Sequence, residues 1–273
     1  MIRLGHIDYS NCVPVHALLL ERGPRDVELI RDIPSRLNAA LAAGTVDVAP
    51  CSSIEYARHA DEYAILPGHA IGSAGPVQSI LLESVVPLDQ LDGAVVAIPT
   101  ASATSVVLLR VLLELRLGVR PRYEWFEQSD ASDPVAGGAT AALRIGDIAL
   151  RHPVRPGRTA HDLGAAWWDW TGLPFAFAVW QVRRDVDSGE VRRLAALLRE
   201  SRAWFGLHAD ELAARYAPGF GLTSGRLLQY WHSLRFDFDP AMQQGLLHFY
   251  ELAARIGEAP RIPSLDILDP ERD

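Results

Sequence analysis

The chain contains no lysine; all 26 of its basic residues are arginines. That absence excludes a phosphate-binding P-loop, whose GxxxxGK[ST] pattern needs the lysine ammonium. Cysteine is nearly absent too, with only Cys12 and Cys51 among 273 residues. Two cysteines make no disulfide framework, and no ligand spacing points to zinc, so no metal is expected. Each cysteine follows an expected strand, so the two are expected as free thiols near a cleft. No apolar run approaches the ~18 residues of a membrane span. The start, MIRLGHIDYSNC, lacks a basic region, a long apolar core and a cleavage site, so no secretory signal is expected and the cytoplasm is the expected compartment. Basic residues are outnumbered, 26 against 34 Asp and Glu, for a formal net charge of −8. A nucleic-acid footprint needs a basic face, so neither nucleic acid nor membrane is an expected partner. An anionic small molecule is still compatible, because one helix terminus can outweigh a distributed surface charge.

What is present reads as globular: 49% hydrophobic and 22% charged residues, in a chain long enough for one large domain or two smaller ones. The most informative stretch is Val95–Leu115, VVAIPTASATSVVLLRVLLEL. A β-branched run ends at Pro99. Thr100, Ser102, Thr104 and Ser105 follow, and then an apolar helical run. The first amides of a helix have no internal partner and carry partial positive charge, so a carboxylate fits there. Simple capping by Thr100 or Ser102 is the competing reading.

Strands are expected at 2–7, 27–31, 46–50, 65–66, 70–71, 77–83, 95–98, 122–126, 139–143 and 175–182. Helices are expected at 13–20, 33–43, 54–59, from the hydroxyl cluster to about 117, and at 191–205, 209–217, 224–231 and 240–256. Residues 167–172 read as an aromatic turn. The tail from Glu258, with Pro260, Pro263 and Pro270, reads as an extended strap. Alternating strands and helices imply an α/β fold with parallel sheets and ligands at the strand C-termini. The restart near Pro87 and the isolated strand near Phe175 suggest two lobes with two hinge crossings and a cleft between them. The expected boundaries are 1–84 with 180–273 for lobe 1, and 85–179 for lobe 2.

Polar turns follow several strands: Asp8-Tyr9-Ser10-Asn11, Cys51-Ser52-Ser53, Thr100 to Ser105 and Gly146-Asp147. A fifth polar segment, Gly75-Pro76-Val77-Gln78-Ser79, precedes the hinge. Together with their surroundings they form an ordered series: GHIDYSNCVP, GPVQSILLES, PLDQLDGAVVAI, SATSVVLLRVLL, RIGDIAL and HDLGAAWWDWTGLPFAFAVW. From about Gly5 to Arg184 the series resembles the chorismate dehydratase family of the futalosine route to menaquinone. The C-terminal helices match only in kind. The resemblance implies a type II periplasmic-binding-protein-like fold, with two lobes around an interlobe cleft, used as an enzyme. A sister family, which converts cyclic dehypoxanthine futalosine to a dihydroxynaphthoate, shares the TGLPF-like and hydroxyl-cluster features. Its start reads more like SPCPNDTF and it uses a catalytic histidine; HIDYSNCVP favours the chorismate family. Ser10, where an apolar residue is common, and Arg144-Ile145, in place of a more apolar pair, depart from the pattern.

The implied reaction removes water from chorismate and leaves 3-[(1-carboxyvinyl)oxy]benzoate, a carbon–oxygen lyase step. Aromatisation drives it, so no cofactor is expected. Holding the geometry can contribute several kcal/mol, up to ~7–11 in ideal cases. The resemblance assigns supporting catalytic roles to Asn11 and Ser79 and gives the proton to the substrate's own enolpyruvyl carboxylate. Asp8 or Asp147 is the side-chain alternative as base. Substrate binding is expected from Asp8, Tyr9, Ser52, Ser53, Gly75, Pro76, Val77, Ser102, Thr104, Ser105, Gly146 and Asp147. One carboxylate is expected at Thr100–Ser105 and the other at Ser79 with the backbone of 75–77. His6 reads as a core histidine and His161 as either a cleft residue or a structural one. Trp167, Trp168, Trp170, Phe175 and Phe177 read first as core and hinge. A non-catalytic solute-binding protein and the sensing domain of a regulator are the readings from other classes. Oligomeric state is not legible.

Overall fold

The computed structural model describes residues 1–23 and 26–269. The first lobe begins with β1 (Ile2–Ile7), α1 (Val13–Arg22), β2 (Val27–Asp32), α2 (Pro34–Ala42), β3 (Val48–Ser52), α3 (Ser53–Arg58) and β4 (Tyr63–Ser73). The chain then crosses to β5 (Ile80–Ser84), β6 (Val95–Pro99), α4 (Ala103–Arg110), β7 (Arg122–Phe126), β8 (Ala141–Ile145), α5 (Gly146–Arg151), β9 (Thr159–Asp162) and α6 (Leu163–Thr171). It returns with β10 (Phe175–Arg183) and closes with α7 (Ser188–Tyr216), α8 (Ser224–Ser233) and α9 (Pro240–Arg255). One sheet has the order β2-β1-β3-β10-β4 and the other β7-β6-β8-β5-β9.

Burial follows position in the sheets. The β10 run FAFAVWQV is buried on both faces because it lies inside the first sheet. The edge strands β2 and β7 carry half-buried and exposed positions. Trp167 and Phe249 clasp Phe175, with ring centroids 5.1 and 4.8 Å from it. Such edge-on pairs add about 0.5–1.5 kcal/mol each beyond burial. The Arg144 that departs from the apolar pattern is matched: it lies in β8 beside β5 and pairs with buried Glu83.

The sheets are mixed, not parallel. β10 runs antiparallel to β3 and β4, and β5 antiparallel to β8 and β9. The crossings shift accordingly. β5 belongs to the second sheet and all of β10 to the first, so the chain changes lobes at 74–79 and after α6, earlier than the expected 84/85 and 179/180. The strand expected from Val77 starts at Ile80. The two short strands at 65–71 form one bulged strand, β4. The expected aromatic turn is helix α6, capped by Asp162 and ended by left-handed Gly172. The helix after the hydroxyl cluster continues past α4 as a π turn, Val111–Arg116. The two helices expected at 191–217 are one, kinked where His208 Nδ1 bonds the Trp204 carbonyl. Ile267 bridges Ile65, so the tail packs extended; Pro270 lies outside the described residues.

The first crossing is organised by Asp162. Its carboxylate accepts from Val77 N at 3.0 Å and Gln78 N at 2.6 Å, and caps α6 through Ala165 N at 3.0 Å. Gln78 is held left-handed at φ 64, an uncommon conformation for a side-chain-bearing residue. Gly164 lies so close under this segment that a Cβ would meet Gly75 O at 2.7 Å. Asp162→Ala removes the cap and strands three amides. It is expected to cost about 3 kcal/mol and to lower Tm by about 6–12 °C. Thermal melts check this.

Candidate active site

Between the lobes lies a cavity of about 50 Å³. Tyr9, Asn11, Ser52, Ser79, Ser102, Ser105 and Gly146 line it, with apolar walls from Ile7, Pro34, Ile71, Ile80, Ile145, Phe177 and Ala178. The polar residues arrive from five chain segments of both lobes. Tyr9 and Asn11 follow β1, and Ser52 ends β3. Ser79 ends the first crossing, Ser102 caps α4, and Gly146 starts α5. Gly146 is required twice over: its φ is 63, and a Cβ would press the Tyr9 ring at 3.1 Å. Its N–H donates to Ser79 O at 2.8 Å. Ser102 Oγ accepts from Ser105 N at 3.3 Å and donates to Ser105 Oγ at 3.0 Å, so capping and cavity lining coexist in the same residue.

Other expected site residues fall elsewhere. Asp8 is exposed, with Arg31 3.9 Å away. Ser53 is buried and donates to Ala176 O at 2.7 Å. Thr104 reaches across the lobes, its Oγ1 accepting from Ile54 N at 3.2 Å in the first turn of α3. Gly75, Pro76 and Val77 form the crossing, and the amide of Val77 is spent on Asp162. Asp147 is not in the wall. Both its oxygens accept from Ser10 N, at 3.3 and 3.1 Å, and Ser10 Oγ donates to it as well. Ser10 follows β1 and Asp147 lies on α5, so this pair joins the two lobes. The unusual polar residue at position 10 thus has a partner 137 residues away. His161 lines a separate groove with Leu82 and Leu112. Of the aromatic rings, Phe177 walls the cavity, while Trp167 is core.

Two residues escaped sequence reading, both on α8. Tyr230 donates to Ser79 Oγ at 2.8 Å, and Trp231 Nε1 donates to Ser10 O at 2.8 Å. Only the amphipathic pattern of α8 marked them as buried; nothing local marked them as neighbours of the site.

Charge is missing from this wall. Tyr9, the sole titratable group among the described lining residues, has its pKa pushed up to about 12 by burial, with Asp147 adding to it. The cavity therefore offers neutral hydroxyls and one amide. It can hold an anion and orient a hydroxyl, but it carries no side-chain base.

His6, Cys12 and His16 form the described cluster nearest to a metal site; their ligand atoms lie within 4.8 Å of one another, all buried. The polarity is wrong for a cation. Trp180 Nε1 can only donate, and does so to His16 Nε2 at 3.1 Å. His16 must then carry its proton on Nδ1, 2.9 Å from His6 Nδ1, to which it donates. A metal-bound histidine uses its outer nitrogen as a donor. Burial lowers the pKa of His6 to about 3 and that of His16 well below its ordinary value, so both rings are neutral. Burial likewise pushes the Cys12 thiol up to about 12. Cys12 and Cys51 are free, buried thiols and neither lines the cavity.

Two α/β lobes around such a cleft define the periplasmic-binding-protein class of folds. The periplasmic aliphatic sulphonate binding protein of Escherichia coli superposes with a TM-score of 0.67 at 16% identity, over 99% of this chain and 92% of that one. The crystal structure of protein AF1704 of Archaeoglobus fulgidus gives 0.77 at 21% identity, over 94% and 97%. Within that class the chain belongs to the menaquinone biosynthesis family, whose model matches residues 2–255. It is 31% identical over 264 residues to a chorismate dehydratase of Thermus thermophilus, covering 91% of this chain and 93% of that one. It is 30% identical over 215 residues to a 1,4-dihydroxy-6-naphtoate synthase of the same organism, covering 77% and 76%.

Asp147 provides a pH test of the interlobe pair. Burial raises its pKa against the lowering effect of the Ser10 bonds. A carboxyl raised in the folded state binds its proton more tightly there, so it favours folding at low pH. That contribution is lost as pH rises from the ordinary carboxylate range through the raised value. Asp147→Asn does not titrate. Its stability relative to wild type is expected to rise between about pH 4 and pH 7, read from urea melts at the two values; a constant difference would remove the assignment.

Proposed function

We propose that the protein is a chorismate dehydratase, a carbon–oxygen lyase that converts chorismate to 3-[(1-carboxyvinyl)oxy]benzoate and water. The observation that carries this reading is the neutral cavity wall. A site for proton abstraction that holds no basic side chain needs a ligand that brings its own base, and chorismate brings two carboxylates. The enolpyruvyl carboxylate takes the ring C–H proton. The released electron pair forms the new ring double bond, the allylic hydroxyl leaves and takes that proton from the carboxylate to become water, and the ring is aromatic.

Each polar residue then has a role. Asn11 donates its amide N–H to the allylic oxygen and stabilises the charge that oxygen gains as it departs. Ser79 and Ser105 donate to carboxylate oxygens from a desolvated wall, where such bonds are stronger than in water, and Ser102, whose proton goes to Ser105, keeps the Ser105 proton free for the ligand. The apolar walls keep water from the reacting ring. No cofactor is needed, the partner is the small-molecule substrate, and we place the activity in the cytoplasm. The naphthoate-synthase relative is matched over less of the chain, 77% against 91%, and that sister family uses a catalytic histidine. Among the described lining residues there is none.

Pure protein incubated with chorismate, with no metal or nucleotide, is expected to give a product lighter by one water in mass spectrometry. Consumption of cyclic dehypoxanthine futalosine instead would move the chain to the sister activity, and binding of unchanged chorismate would make it a binding protein. Asn11→Ala is expected to lower kcat about 10²-fold with Tm nearly unchanged. Ser105→Ala is expected to raise KM several-fold with little effect on kcat, because a carboxylate contact made equally in ground and transition states is uniform binding. Steady-state kinetics beside thermal melts check both.

A further inference from the structure

We propose that Tyr230 is a positioning residue that sets which way the hydrogen bond of Ser79 points into the cavity; this deepens the dehydratase reading and rests on it. The phenol is buried and bonds a residue of the cavity wall. Its O–H donates to Ser79 Oγ at 2.8 Å. The phenol has a single proton and spends it on Ser79. Ser79 Oγ, having accepted, has its own proton free.

The result is a one-way chain: Tyr230 to Ser79, and Ser79 to whatever lies in the cavity it lines. Ser79 is left presenting a hydroxyl proton, the polarity that an anionic ligand oxygen needs. Burial raises the phenol pKa, so Tyr230 keeps its proton and the chain keeps its direction. The neighbouring groups of α8 hold the frame: Trp231 grips Ser10, beside Asn11, and Arg226 grips Gln78, beside Ser79.

The test is a double-mutant cycle on chorismate turnover, with a thermal melt for every variant. Tyr230→Phe keeps the ring and removes the hydroxyl. It is expected to lower kcat about tenfold with Tm within about 4 °C of wild type. In a Ser79→Ala background the same substitution is expected to cost at least threefold less than in the wild type, because part of its effect passes through Ser79. Equal costs in the two backgrounds, or a Tyr230→Phe chain that fails to fold, would make Tyr230 structural and overturn the inference while leaving the dehydratase reading intact. A wild-type protein that leaves chorismate untouched overturns both.

Discussion

The site depends on one carboxylate that never touches it. Where the chain leaves the first sheet, the amides of Val77 and Gln78 pair with neither sheet, and unpaired buried amides are too costly to keep. Asp162 accepts from both while capping α6, so the crossing is bound to the start of a helix and to β9 at once. That grip permits the left-handed turn at Gln78, and the turn delivers Ser79 to the cavity with its carbonyl on Gly146. Serine at position 79 is useful only because aspartate stands at 162.

An uncharged wall suits a dianionic ligand. A buried carboxylate base would have to be desolvated and would then repel the ligand it serves. Buried arginines would bind substrate strongly, but equally so in ground and transition states, which adds nothing to the chemical step. The wall offers preorganised dipoles instead: hydroxyls fixed by the α4 cap and by Tyr230 of α8, and an amide. The overall charge of −8 is no obstacle, because no charged side chain is among the described lining residues and Asp147, next to Gly146, is held by Ser10 from the other lobe.

Local pattern revealed much of this. The buried run of β10, the restart near Pro87 and the hydroxyl cluster before α4 are short-range signals, and the ordered motifs pointed to the family. Strand direction was not legible, because a run buried on both faces has no polarity of its own. WWDW read as a turn because apolar residues crowd every face, although Asp162 and Gly172 were fair cap signals. Asp8, Asp147 and Asp162 look alike in sequence, each beside a strand end. One is solvated, one joins the lobes, and one holds the crossing. What separates them is a partner at long range: Ser10 for Asp147, and Val77 and Gln78 for Asp162. Tyr230 was hidden for the same reason, since its partner Ser79 lies 151 residues away.

The cavity volume carries a kinetic consequence. At about 50 Å³ it is about a third of the ~150 Å³ void that admits a benzene ring. A six-membered ring with two carboxylates therefore enters only when the lobes stand further apart. Observed affinity is then the intrinsic affinity scaled by the fraction of molecules that are open, so an open population of ~1% weakens it about 100-fold. Encounter is gated by the opening rate instead of by diffusion. The buried Ser10–Asp147 bond between the lobes becomes a setting of that gate: loosening it raises the apparent affinity for a ligand it never contacts.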